Sequence, residues 1–122
     1  MTTPATVQPG ELPATIRDYL AAHTADDTDA ALRAFTSTAV VVDDGTTYRG
    51  TEEVRRFLSK AGAEFRYTTE LISVRRVDDA HWVATQRLEG DFPGGVVDLA
   101  YRFAMDGDLI EGLVIAPSHG DD

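Results

Sequence analysis

Four long strand-patterned runs, Tyr67–Val77, His81–Phe92, Val96–Met105 and Leu109–Ala116, follow one another through the second half of this 122-residue chain. The breaks between them are built on Asp78-Asp79, Pro93-Gly94-Gly95 and Asp106-Gly107-Asp108, all turn-forming sequences. Connections this short can join antiparallel neighbours only, because a parallel crossover needs a dozen residues or more. The four runs are therefore expected to form an antiparallel meander. Each exceeds the usual strand length of about five or six residues, as a strongly curved sheet requires.

The first half reads as helices with one hairpin. Residues 1–11, rich in Thr and Pro, are expected to be a flexible lead-in, residues 12–116 the folded domain and 117–122 a flexible tail. Pro13 suits the first turn of a helix in which Ile16, Tyr19, Leu20 and His23 recur at helical spacing. The cluster Asp26-Asp27-Thr28-Asp29 breaks this helix and offers a cap for a second one, with Leu32 and Phe35 inward. Ala39–Val42 is a short β-branched run, and Asp44-Gly45 turns it back through Thr46–Tyr48. A third helix opens at Gly50-Thr51-Glu52-Glu53 with Thr51 as its cap, buries Val54, Phe57, Leu58 and Ala61, and can end at Gly62. The order is that of an α+β fold with helices on one face of a bent sheet.

In the third run, Val97, Leu99, Tyr101, Phe103 and Met105 alternate with Asp98 and Arg102, so the odd positions are expected to face the helices. The last run is apolar at both parities, with Leu109, Leu113 and Ile115 against Ile110, Val114 and Ala116. Apolar residues on both sides of a small sheet point to a partner on the outer face.

Composition narrows the function. The net charge of −10 argues against nucleic acid and anionic membrane surfaces as partners. There is no cysteine, and the three histidines have no ligand-like spacing, so no metal and no cofactor is expected. P-loop, dinucleotide and nucleophile-elbow motifs are missing from the sequence. Met1–Gly10 has neither the basic residues nor the apolar run of a secretory signal, and cytoplasmic residence is the expectation.

Three positions carry a resemblance. Tyr19 lies on the first helical stripe, Phe35 follows sixteen residues later and Asp43 eight after that, within Asp18–His23 and Leu32–Gly45. This pattern resembles the opening of the NTF2-like superfamily, whose fold is also called cystatin-like and which includes ketosteroid isomerases and SnoaL-type polyketide cyclases. The resemblance spans about residues 12–116 and implies a cone of three helices packed on a curved antiparallel sheet, and a homodimer paired through the outer sheet face. It further implies that Tyr19 is an oxyanion donor and Asp43 a general base. The residue-level alternatives are a core tyrosine and a turn aspartate.

One departure weighs on this transfer. The isomerases complete their oxyanion hole with a protonated aspartic acid. Anchoring on Tyr101-Arg102-Phe103 puts that acid at position 99, where this chain has Leu99. Asp98 is one residue away, and a single step along a strand turns its side chain to the other face. The expectation is a small apolar pocket, with His23, Phe57, Trp82, Leu99, Tyr101 and Phe103 as lining, that binds a hydrophobic or carbonyl-containing molecule. The alternative is an isomerase- or cyclase-type enzyme using Asp43 and Tyr19. Gln86 and Glu111 are expected at half-exposed strand positions, though either can serve as a polar pocket group, and His81 and His119 are expected in solvent. Gly90-Asp91-Phe92-Pro93-Gly94-Gly95 resembles a turn of bacterial superfamily members and is read as turn geometry alone.

Overall fold

The meander forms as expected and is the spine of a single seven-stranded sheet. The computed structural model describes residues 5–7, 12–25, 27–43, 45–63, 67–90 and 94–117. In chain order the elements are β1 (Ala5–Val7), α1 (Ala14–Thr24), α2 (Thr28–Leu32), β2 (Phe35–Asp43), β3 (Thr46–Arg49), α3 (Gly50–Ala63), β4 (Tyr67–Asp78), β5 (His81–Gly90), β6 (Val96–Asp106) and β7 (Leu109–Pro117). The sheet order is β1-β4-β5-β6-β7-β2-β3. All neighbours are antiparallel except β7 and β2, which run parallel. The tight turns rest on glycines in the left-handed region: Gly107 at φ 61° between β6 and β7, and Gly45 at φ 79° in the hairpin that closes Asp43 onto Thr46.

Four expectations are corrected. Phe35 does not continue the second helix. That helix stops at Leu32, and Phe35 starts β2, where it pairs with Ile110 and is only 7% exposed. A five-residue helix gains little from its own hydrogen bonds, whereas the open edge of β7 offers Phe35 both a ladder and a buried place. The third helix starts at Gly50, so Thr51 lies inside it. The capping contact comes instead from Glu53, whose Oε1 accepts from the backbone N–H of Arg49 at 2.8 Å. Within the lead-in expected to be flexible, Ala5–Val7 adds an edge strand against Val74–Arg76 of β4. His119 lies outside the described residues.

The fourth correction concerns β7. Ala104 pairs with Gly112 but Met105 pairs with Ile110, so Glu111 is an extra residue, a β-bulge. The bulge turns both Ile110 (0% exposed) and Leu113 (1%) to the inner face. Much of the two-sided apolar pattern of this strand is therefore one buried face interrupted by a bulge. The remainder that does not face inward is Leu109, Val114 and Ala116. Glu111 itself accepts hydrogen bonds from the Thr36 hydroxyl at 3.0 Å and the Thr38 hydroxyl at 3.1 Å, which ties the bulge to the irregular start of β2.

The core lies between the inner sheet face and the helices. Ile16 and Tyr19 of α1, Val54, Phe57 and Leu58 of α3, Val41 of β2, Tyr101 and Phe103 of β6 and Ile110 and Leu113 of β7 belong to one buried cluster. Burial of each large side chain contributes about 1.5–3 kcal/mol. Asp27 caps α2 by accepting from the Ala30 N–H at 3.1 Å. The odd positions of β6 do face the helices: Tyr101 and Phe103 are buried, while Leu99 and Met105 pack on the cluster from its edge.

Candidate functional site

Strand register arranges the inner face in tiers. The first comprises Met105, Ile110 and Phe35, and the second Trp82, Phe103, Leu113 and Val41. Val74, Ala84, Tyr101, Ile115 and Asp43 form the third, and Leu71, Gln86, Leu99 and Pro117 the fourth. Register also sets Arg76 opposite Trp82 and Tyr48 opposite Val41 at the two flanks of the second tier, while Asp43 and Gln86 lie in the third and fourth.

Helix α1 lies over the first two tiers. Tyr19 is fully buried, and its ring meets Phe35 edge-on at 5.4 Å and Phe103 edge-on at 5.8 Å between centroids. His23, one turn on, stacks on Tyr19 at 5.9 Å with 16° between the planes. On its other side His23 borders a crevice of about 10 Å³ between the helices, room for at most one water. Tyr19, Phe35, His23 and Phe103 thus form one aromatic cluster. It explains the spacing of Tyr19 and Phe35 by packing, since edge-to-face rings contribute about 0.5–1.5 kcal/mol each beyond burial.

Asp43 ends the third tier, on the inward parity of β2 shared with Ala39 and Val41, and is partly exposed. It shares that tier with Tyr101. Trp82 is buried in the second tier beside Phe103, and the Arg76 guanidinium sits 5.7 Å from its ring centroid. Arg76 also pairs with Asp79 in the turn that follows β4. Phe57 belongs to the same buried cluster as Tyr19, Trp82, Tyr101 and Phe103. It packs against Tyr48 at 5.3 Å, between α3 and the β2–β3 hairpin. His81 is exposed as expected, its Nδ1 2.7 Å from Asp78 Oδ1, and this contact holds the Asp78 carboxyl below its ordinary value.

Position 99 is settled by its neighbour. Leu99 points inward in the fourth tier. Asp98 points to the outer face, where Arg87 holds both of its oxygens, Nε to Oδ1 at 2.9 Å and Nη2 to Oδ2 at 3.2 Å. That hydrogen bonding lowers the Asp98 pKa. The one register shift in β6 lies at Ala104/Met105, well away from this pair.

Gln86 is not half-exposed. It is 4% exposed and faces inward opposite Leu99. The sequence signal was its parity with Trp82, Ala84 and Leu88, the inward residues of β5. Among the described residues its amide makes no hydrogen bond, and the buried Trp82 Nε1 on the same strand face has no acceptor.

The outer face carries a trough of about 410 Å³ lined by Val40, Val42, Val83, Ala104, Gly112 and Val114, with His81 and Arg102 at its margin. Among the described residues no group of three His, Cys, Asp or Glu side chains is placed to hold a metal, and no helix is long and apolar enough to cross a membrane.

No family model matches the sequence, and no curated protein matches it. Solved structures do. A candidate polyketide cyclase from Sinorhizobium meliloti is 30% identical, with 90% of this chain and 100% of that chain covered at a TM-score of 0.83. A hypothetical protein with a ketosteroid isomerase-like fold from Catenulispora acidiphila, in complex with trimethylamine, is 19% identical over 89% of this chain and 88% of that one, at 0.75. An NTF2-like protein of unknown function from Cytophaga hutchinsonii is 9% identical over 85% and 87%, at 0.69. The last two likenesses speak for the fold alone.

Proposed function

The chain belongs to the NTF2-like superfamily, and from that premise we propose that it binds a small, mostly apolar molecule carrying a carbonyl group, on the inner face of the sheet beside α1, from the second tier to the fourth. The observation that carries this reading is Leu99. An apolar side chain faces inward at the position where the resemblance, anchored on Tyr101-Arg102-Phe103, puts the isomerases' second oxyanion donor, and the adjacent Asp98 is held by Arg87 on the other face. An interior of this kind favours holding a ketone over stabilising its enolate. In this reading Tyr19, His23, Trp82, Leu99, Tyr101 and Phe103 contact the ligand, Asp43 stands at the rim, and Phe57 supports the flank. Binding sites of this type are largely apolar with a few placed polar groups.

A β,γ-unsaturated ketosteroid tests it in one cuvette. Trp82 is the chain's single tryptophan and reports binding through its fluorescence, while conjugation of the double bond reports turnover through absorbance. The expected result is saturable quenching without conjugation. Rapid conjugation would replace this reading by the catalytic one.

The catalytic reading is favoured by the inward place of Asp43 and by the likeness to the Sinorhizobium meliloti protein. Asp43 would remove a proton α to the carbonyl, Tyr19 would donate to the oxygen that becomes negative, and the proton would return at another carbon. Asp43→Asn would then lower turnover by roughly 10²–10⁴ without lowering the melting temperature.

For assembly, the reading is a cytoplasmic homodimer paired through the outer trough. Its support is the apolar lining and the exposure of Val114 (41%) and Val77 (46%).

A further inference from the structure

A glutamine side chain almost wholly removed from solvent should be hydrogen-bonded, because burying an amide without partners is costly. Gln86 is 4% exposed, faces the inner side of the sheet, and makes no hydrogen bond with the described residues. Its amide atoms keep what little solvent contact the residue has, so the amide opens toward the interior and is not sealed in the core. Its strand neighbours explain nothing, since Leu71 on β4 and Leu99 on β6 are both apolar. Nor is it a lone irregularity. Four residues back on the same strand face, the Trp82 indole N–H is buried without an acceptor. The inner face of β5 thus carries two polar groups in search of partners, and a ligand oxygen is a partner that fits both.

We propose that Gln86 is the specificity-determining contact of the interior site: its amide N–H donates to the carbonyl oxygen of the ligand, supplying from β5 the donor that Leu99 leaves out on β6. Residues directly opposite on antiparallel strands have Cβ atoms about 4.5–5.5 Å apart. The Gln86 amide therefore emerges beside position 99, on the same face. A neutral amide also differs in kind from a carboxylic acid. It donates at every pH and carries no charge to be neutralised, which suits a neutral ketone. Asp43 lies one tier away and three strand spacings across, about 16 Å along the sheet between backbones. A ligand touching both side chains is accordingly bicyclic or larger. This inference rests on the ligand-binding reading given above.

The test uses 2-decalone and decalin, a ketone and its parent hydrocarbon, titrated against the full chain with Trp82 fluorescence as the signal. The variants are Gln86→Leu and the unbranched Gln86→Met. Both are expected to melt no lower than the native protein, because an amide with no protein partner loses nothing on replacement by an apolar group of similar shape. Both are expected to bind 2-decalone roughly tenfold more weakly, the fold-change of one lost hydrogen bond, and decalin unchanged. An unchanged ketone-to-hydrocarbon ratio overturns the role of Gln86 and leaves the binding reading standing. If both variants melt lower or fail to fold, the amide has a structural partner and the proposal falls. If the native protein binds neither compound, the binding reading fails and this inference with it.

Discussion

Arg87 holds both oxygens of the Asp98 carboxylate on the outer face of the sheet, from Nε at 2.9 Å and Nη2 at 3.2 Å. The pair joins β5 to β6 directly across the ladder. It also keeps the acid nearest to position 99 on the opposite side from the helices, so the polarity of the inner face is decided in part by a contact on the outer one.

The pair predicts the acid limb of the stability curve. Hydrogen bonding to Arg87 lowers the Asp98 pKa from 3.8, and Arg55 and His81 do the same for Asp29 and Asp78. A depressed folded-state pKa means stability that is complete above 3.8 and lost as pH falls through the lower folded values. The melting temperature should be flat from neutral to about pH 5 with respect to these groups and then fall. Asp98→Asn should make that fall shallower. The same slope in the variant and the native protein would show that the Arg87 contact is not formed in solution.

Leu99→Asp moves a carboxyl to the inner face. Leu99 packs against the core, so desolvation should raise the pKa of the new acid and favour its protonated form. A stability loss of about 1–3 kcal/mol is expected from burying the polar group. In exchange the variant should turn over a ketosteroid faster than the native protein does. A well-folded variant with no turnover would mean that position 99 is not where the isomerase acid belongs in this chain.

The sheet was legible because its determinants are local. Asp106-Gly107-Asp108 and Asp44-Gly45 specify tight turns, and Val97 to Met105 shows its buried face by alternation. What escaped is what depends on distant partners. Phe35 has the spacing of a helix residue, and only the edge of β7, some seventy-five residues on, draws it into a strand. The bulge at Glu111 cannot be read from β7 alone, since it is defined by the slip of Gly112 and Ile110 against β6 and is held by Thr36 and Thr38 of β2. Tyr19 and Asp43 were recognisable by spacing, but spacing does not separate packing from chemistry, and the rings around Tyr19 show how much of it packing explains. At Gln86 the two signals conflict: polarity points to an exposed position, while parity with Trp82, Ala84 and Leu88 points inward, and parity prevails.

For assembly, Val114→Glu is the informative change. Val114 is 41% exposed beside the outer trough, so a charge there should cost the isolated fold little. The native protein should scatter light as a dimer and the variant as a monomer with a similar circular dichroism spectrum. A native monomer at micromolar concentration would remove the dimer.

The last prediction separates structure from function at the aromatic cluster. Phe103 is 1% exposed and meets Tyr19 edge-on, so Phe103→Ala should destabilise by about 3–5 kcal/mol through the cavity it leaves. Tyr19→Phe keeps both edge-to-face contacts and the stack on His23, and removes the hydroxyl alone. If Tyr19 serves packing, this variant should match the native protein both in melting temperature and in ketone affinity. If its hydroxyl meets the ligand, stability should change by no more than about 1 kcal/mol, while 2-decalone binding weakens and decalin binding does not. Pairing Tyr19→Phe with Gln86→Leu then decides whether the two groups share one oxygen. Donors to the same carbonyl should show a combined loss that departs from the product of the single losses, whereas donors to separate ligand atoms should multiply.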